Sequence, residues 1–371
     1  MPVDGKFIRN VVIKGLIFFL ALDLIVAGIN PAGLGRVSLY NRLFPGRLRF
    51  PFGEDSAQAY NLSLFNLDGM FASLKLAAGP KPADEYRVLV IGDSSTWGTL
   101  LRPEETMAGQ LEAAGLKVCG KKAHFYNLGY PTISLTKDLM VLDYAMRYQP
   151  DLIIWPMTLE AFPLDKQLSS PLVANNAARV DDLTARYQLP FAPGDPALVR
   201  PSFWDKTLIG QRRALADLFR LQMYGVLWAA TGIDQVYPLD YEHAQLDYGT
   251  EPSFHGMQPP TLDETKLAFA VLEAGLRAAG KTPVMLINEP MLISTGKNSN
   301  LHYNFFYPRW VYDQWRQMMT DKAAEQHWNY LDLWNIVPAN QFTNSAIHLT
   351  PVGETILAGQ VEQSILKQTC P

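Results

Sequence analysis

Five short apolar runs punctuate the chain: Tyr86 to Ile91, Ala123 to Leu128, Asp151 to Trp155, Pro283 to Ile287 and Tyr330 to Trp334. Each is short enough for a strand, and each is apolar on consecutive residues rather than on alternate ones. That is the pattern of a strand buried on both faces. Between them lie longer stretches with helical character: Glu104 to Ala114, Leu135 to Gln149, which stops at Pro150, and Pro308 to His327. A last helix begins near Pro351. Strands alternating with helices imply βαβ units, and so an α/β fold with a doubly wound, mainly parallel, five-stranded sheet.

Two stretches break this rhythm. Residues 163–262 separate the third and fourth strands, far beyond a simple crossover. This insertion reads as helix-rich, with Gln211 to Ala230 the clearest case. Leu215, Leu218, Phe219, Met223, Val226 and Leu227 recur there near helical spacing, which suits core packing, a lid or a membrane-surface contact. Near the N-terminus, Val11 to Ile29 is apolar over the length of a transmembrane helix, with Lys6, Arg9 and Lys14 ahead of its core. It is longer than the apolar region of a cleaved signal peptide, so it predicts a single-pass anchor. Asp23 lies inside that run. It either stays wet near the interface or faces another transmembrane subunit.

The expected organisation is therefore an anchor over 1–30, a juxtamembrane segment over 31–83 and an α/β domain over 84–371. In the middle segment Arg36, Arg42, Arg47 and Arg49 are interleaved with Phe44, Leu48, Phe50 and Phe52. That mixture suggests either an interfacial segment on anionic lipid or a basic linker. Basic residues flank the apolar helix on both sides, so charge counting alone does not orient it.

Charged residues make up 18% of the 371, below the roughly 25% of ordinary soluble domains. That favours a large core, a membrane contact or a buried interface. The net charge of -4 argues against a nucleic-acid partner. No metal-ligand spacing and no phosphate-binding glycine loop occurs, so neither a metal nor a cofactor is expected. Cys119 and Cys370 are either two free thiols or a disulfide pinning the C-terminal tail, the latter only in an oxidising compartment.

The first strand runs into Gly92-Asp93-Ser94, which places Ser94 at the carboxyl edge of the sheet, where open α/β sheets hold their ligands. A serine there needs a base, a group to orient that base, and donors for an oxyanion. His348 follows the fifth strand in a loop leaving the same edge, and Gly129 closes the second strand there.

Three blocks now stand in order: Gly92-Asp93-Ser94, Asn127-Leu128-Gly129 and Ile347-His348-Leu349-Thr350-Pro351-Val352-Gly353. In these the chain resembles the SGNH/GDSL hydrolase superfamily, over nearly all of residues 86–367. With its anchor and insertion it looks most like membrane-tethered DltD-like and alginate-acetylation proteins. The resemblance implies Ser94 as nucleophile, His348 as base, and the backbone N–H groups of Ser94 and Gly129 as an oxyanion hole. It also implies a membrane-anchored, extracytoplasmic esterase or O-acyltransferase acting on a glycan, lipid or wall polymer. Its expected partners are membrane lipid and a membrane-bound O-acyltransferase or other integral subunit.

Two family positions differ. The Asn expected after the third strand is absent from Trp155-Pro156-Met157-Thr158-Leu159-Glu160, where Glu160 lies near its place. The Asp expected three residues before the histidine is Ser345, with Asn344 beside it. Asp93 and Glu289, both at strand ends, are the acids that could substitute. These departures leave a second reading open, a non-catalytic subunit of a membrane complex that keeps the fold.

Overall fold

The computed structural model describes residues 4–29, 46–50, 66–213 and 240–367, with a few positions between 215 and 227. The sheet has six strands: β1 (Glu85–Gly92), β2 (Lys117–Val118), β3 (Lys121–Gly129), β4 (Leu152–Met157), β5 (Val284–Asn288) and β6 (Asn329–Asp332). Their order is β2-β3-β1-β4-β5-β6, and every pairing is parallel except β2 with β3. The five expected strands are all present, within a few residues of their expected limits. The strand the pattern did not predict, β2, is two residues long. It turns into β3 through Cys119 and Gly120, both at positive φ, as a tight hairpin requires. Cys119 is in a disulfide. Cys370 lies outside the described residues.

The sheet separates two apolar layers, as double winding demands. Leu89, Ile91, Ile153, Trp155 and Leu286 face helices Leu135–Ala145, Phe269–Ala279 and Arg309–Gln326. Val88, Val90, Ile154, Met285 and Ile287 face helices Met107–Ala113 and Pro351–Leu366. Within the insertion, Pro171–Ala174 and Ala177–Tyr187 are helices, but 240–253 carries no regular structure. Helical backbone recurs at the described positions between 212 and 227, while the rest of the expected 211–230 helix lies outside them.

Gly5–Ile29 forms one helix, and its Gly5–Gly28 stretch is long and apolar enough to cross a membrane. Asp23 on it is buried, and its Oδ1 accepts the Ile209 N–H at 3.2 Å. Its observed neighbour is thus this chain's own insertion.

The basic segment needs a correction. Arg49 and Phe50 are fully buried rather than spread on lipid, and Arg47 bridges Leu74 in a parallel pair. Phe50 packs in one core cluster with Leu67, Met70 and Phe71, ahead of residue 84. Leu48 between Arg47 and Arg49 is exposed, which gives the alternation of an extended chain. Arg36, Arg42, Phe44 and Phe52 lie outside the described residues.

Candidate active site

The register pairs Gly92 on β1 directly with Gly129 on β3, so both strands end at the same level. Just beyond, Ser94–Trp97 makes a single helical turn, capped by the Asp93 carboxylate accepting the Ser95 N–H at 2.8 Å. This turn packs so closely over β3 that a Cβ on Gly129 would lie 2.4 Å from Trp97 N. A Cβ on Gly92 would lie 2.2 Å from Thr96 Oγ1. Both glycines are therefore steric requirements of the turn that presents Ser94.

His348 arrives from the opposite end of the chain. Phe342 and Leu349 pair antiparallel, and the Thr343 N–H donates to His348 O at 2.8 Å, closing a tight loop. Buried Ile347 and Leu349 anchor the ring on both sides. The Leu292 N–H donates to Ala346 O, tying the loop to the chain leaving β5.

His348 Nε2 lies 2.8 Å from Ser94 Oγ, and Nδ1 lies 2.8 Å from Asn344 Oδ1. An amide oxygen only accepts, so Nδ1 carries the proton and Nε2 is left to accept from Ser94. The tautomer is the one a general base needs. Burial lowers the ring's pKa to about 4, because no anion sits beside it to offset the loss of water. His348 is therefore neutral, and a base, at neutral pH.

The remaining candidates fall into three groups. Asn344 orients the histidine, while Ser345 makes no side-chain hydrogen bond among the described residues. Asp93 and Glu289 do not contact His348. Asp93 caps the nucleophile turn, and Glu289 accepts from Ser95 Oγ through Oε2. Neither supplies the missing acid, because both are engaged with Ser95 while His348 Nδ1 is met by Asn344 Oδ1. Glu160 pairs with Lys166, and its Oε1 lies 3.3 Å from His255 Nε2. It offers no oxyanion donor. The Gly129 N–H is directed elsewhere too, donating to Asn127 Oδ1 at 2.9 Å while Asn127 Nδ2 donates to Thr96 O. That bond takes the donor expected for an oxyanion. The Ser94 N–H stands at the start of a helical turn, where no intrahelical acceptor exists, and has no protein acceptor among the described residues.

Beneath the turn lies an acid-rich core that the pattern did not disclose. Lys137 is fully buried, and its Nζ donates to Gly92 O and Asp138 Oδ1, each at 2.5 Å. Burial raises the Asp93 carboxyl, and raises Asp138 to about 6 despite that lysine. Burial, reinforced by Asp93, holds Glu289 well above the usual range, and burial lifts Glu354 to about 8. Glu354 is therefore neutral at neutral pH, and burial favours the neutral form of Glu289. Both glutamates line a cavity of about 10 Å³, the size of one water, together with Ser95 and Thr96. Glu289 Oε1 and Thr96 Oγ1 are buried there without a protein partner among the described residues.

Arg49 is the second residue the pattern did not disclose. Its guanidinium donates to Trp97 O and Gly98 O at 2.9 Å and to Leu101 O at 2.8 Å, and stacks on the Trp97 ring. Trp97 Nε1 in turn donates to Phe50 O at 2.7 Å. The turn carrying Ser94 is thus clasped from outside by the segment that follows the anchor. Arg49→Ala leaves three buried carbonyls without this donor and should destabilise the fold by about 3 kcal/mol, read as a lower urea midpoint. Lysine should not restore it, since a single ammonium cannot reproduce the fork.

No protein-family model matches the chain, and no curated protein matches its sequence. Solved structures do resemble it. A member of the lipolytic G-D-S-L family from Veillonella parvula DSM 2008 is 11% identical, with a TM-score of 0.38 over 76% of this chain and 99% of that one. A carbohydrate acetylesterase family member from Sinorhizobium meliloti is 14% identical, with a TM-score of 0.32 over 76% and 99%. The inhibitor-bound aryl esterase of M. smegmatis is 12% identical, with a TM-score of 0.32 over 75% and 98%. At this level of identity and overlap none of them says what this chain does.

Proposed function

We propose that this chain is a membrane-anchored serine esterase or O-acyltransferase of the SGNH/GDSL type. Its substrate would be an acylated glycan, lipid or wall polymer outside the cytoplasm, and a membrane-bound O-acyltransferase would be its partner. The observation that carries the chemistry is the 2.8 Å contact from Ser94 Oγ to a neutral His348, with Nδ1 fixed by Asn344. In the reaction Ser94 Oγ attacks the acyl carbonyl and its proton passes to Nε2. The tetrahedral adduct collapses, the leaving alkoxide takes that proton, and an acyl-serine remains. Water or an acceptor alcohol then loses its proton to Nε2 and attacks the acyl group. Ser94 departs and recovers the proton. The Ser94 N–H, which has no protein acceptor among the described residues, would donate to the oxyanion.

A fluorophosphonate probe tests this. Full-length protein should gain one adduct, mapped by peptide mass to Ser94, and none in Ser94→Ala. No adduct under conditions that label a control serine esterase would discard the proposal. It would favour the non-catalytic subunit, a reading the occupied Gly129 N–H and the uncharged Asn344 support.

A further inference from the structure

We propose that the insertion carries a second membrane-seated surface, beside the N-terminal helix, whose occupant is the lipid bilayer. This rests on the reading that Gly5–Gly28 spans the membrane. Asp23 lies five residues before Gly28, about 7.5 Å inside that end of the span at about 1.5 Å per residue. Because Asp23 Oδ1 holds the Ile209 N–H, the backbone at 209 sits at the same depth. The Trp204–Lys206 turn lies against the same helix. A carboxylate at that depth, and a backbone N–H beside it, each satisfy a group that lipid could not.

The side chains around this contact suit that depth. Phe203, Trp204, Ile209, Phe219, Met223 and Leu227 are each more than half exposed. Phe219, Met223 and Leu227 are four apart in sequence, and the backbone at each is helical. Lys206, Arg212 and Arg213 are exposed nearby, where phosphate headgroups would meet them. Exposed apolar side chains with basic residues near them in sequence, joined by hydrogen bond to a spanning helix, fit lipid on their outer side. The domain would thereby be held at two points, and its orientation on the membrane limited.

Nitroxide labels read the depth directly. They are placed on cysteines at Trp204, Phe219 and Met223, at Leu20 in the anchor and at Glu325 on the domain surface. The full chain is reconstituted in phosphatidylcholine–phosphatidylglycerol vesicles. Relaxation by oxygen should exceed relaxation by a water-soluble nickel chelate at 204, 219, 223 and 20, and the reverse should hold at 325. If 20 reads as lipid while 204, 219 and 223 read as water, the anchor stands and the proposal falls. If 20 also reads as water, the anchor reading itself fails and takes the proposal with it. Shielding of 204, 219 and 223 from both reagents would assign the face to a protein, and would overturn the lipid occupant.

Discussion

His348→Ala should slow labelling of Ser94 by about 10³-fold, the share of the barrier a positioned general base typically removes. The informative companion is Asn344→Asp. In the native chain the base is neutral above a pKa of about 4, so reactivity should hold as pH falls and be lost only through that value. An aspartate 2.8 Å from Nδ1 adds the anion the ring lacks, favours the imidazolium and raises this pKa. The acid limb should then move upward by about one pH unit or more. The same interaction stabilises the imidazolium formed during attack, so turnover at neutral pH should rise about tenfold, worth ~1.4 kcal/mol. An unmoved acid limb in Asn344→Asp would show that His348 is not the titrating base.

Stability should fall as pH rises, and Glu354 is one cause. This carboxyl accepts the Met107 N–H at 2.9 Å and is otherwise enclosed. Its ordinary value is 4.5, and burial raises it to about 8 in the folded chain. Across that window the folded chain keeps a proton that the unfolded chain has released. The stabilisation is complete below 4.5 and lost as pH climbs through about 8. The whole swing is on the order of 5 kcal/mol. Glu354→Gln keeps an oxygen for Met107 but cannot ionise. Urea midpoints for the variant should vary less between pH 5 and 9, and exceed the native midpoint at the alkaline end. A slope of the same sign should remain, because burial also raises Asp93, Asp138 and Glu289. Parallel pH profiles for the two proteins would contradict the assignment.

The parts legible in the sequence were those whose cause is local. Apolar runs ending in glycine disclose β1 and β3, an apolar run stopping at Trp155 discloses β4, and the loop after the last strand discloses His348. Gly129 is legible at the edge of β3, but the hydrogen bond from its N–H to Asn127 Oδ1 is not. The signal was present in Asn127, whose side chain two residues earlier folds back on the N–H as Asn commonly does. Other misses are tertiary by nature. Glu354 reads as an ordinary acid in the first turn of a helix, yet it serves the open N–H of a different helix at Met107. Arg49 sits in a basic, aromatic stretch whose composition is the same whether it meets lipid or core. Only the three carbonyls of the Trp97–Leu101 segment decide between them.

The Arg49 clasp also bears on where the chain can be cut. A soluble fragment begun at residue 84, where the first long strand invites a boundary, would discard Arg49, Phe50 and the Leu67–Leu76 packing. Such a fragment would expose the underside of the Trp97 ring and free the turn that carries Ser94. A cut between Ile29 and Gly46 removes the hydrophobic helix while leaving the clasp in place. An inert preparation of the shorter piece would therefore report on the cut, and leave the chemistry of Ser94 unjudged.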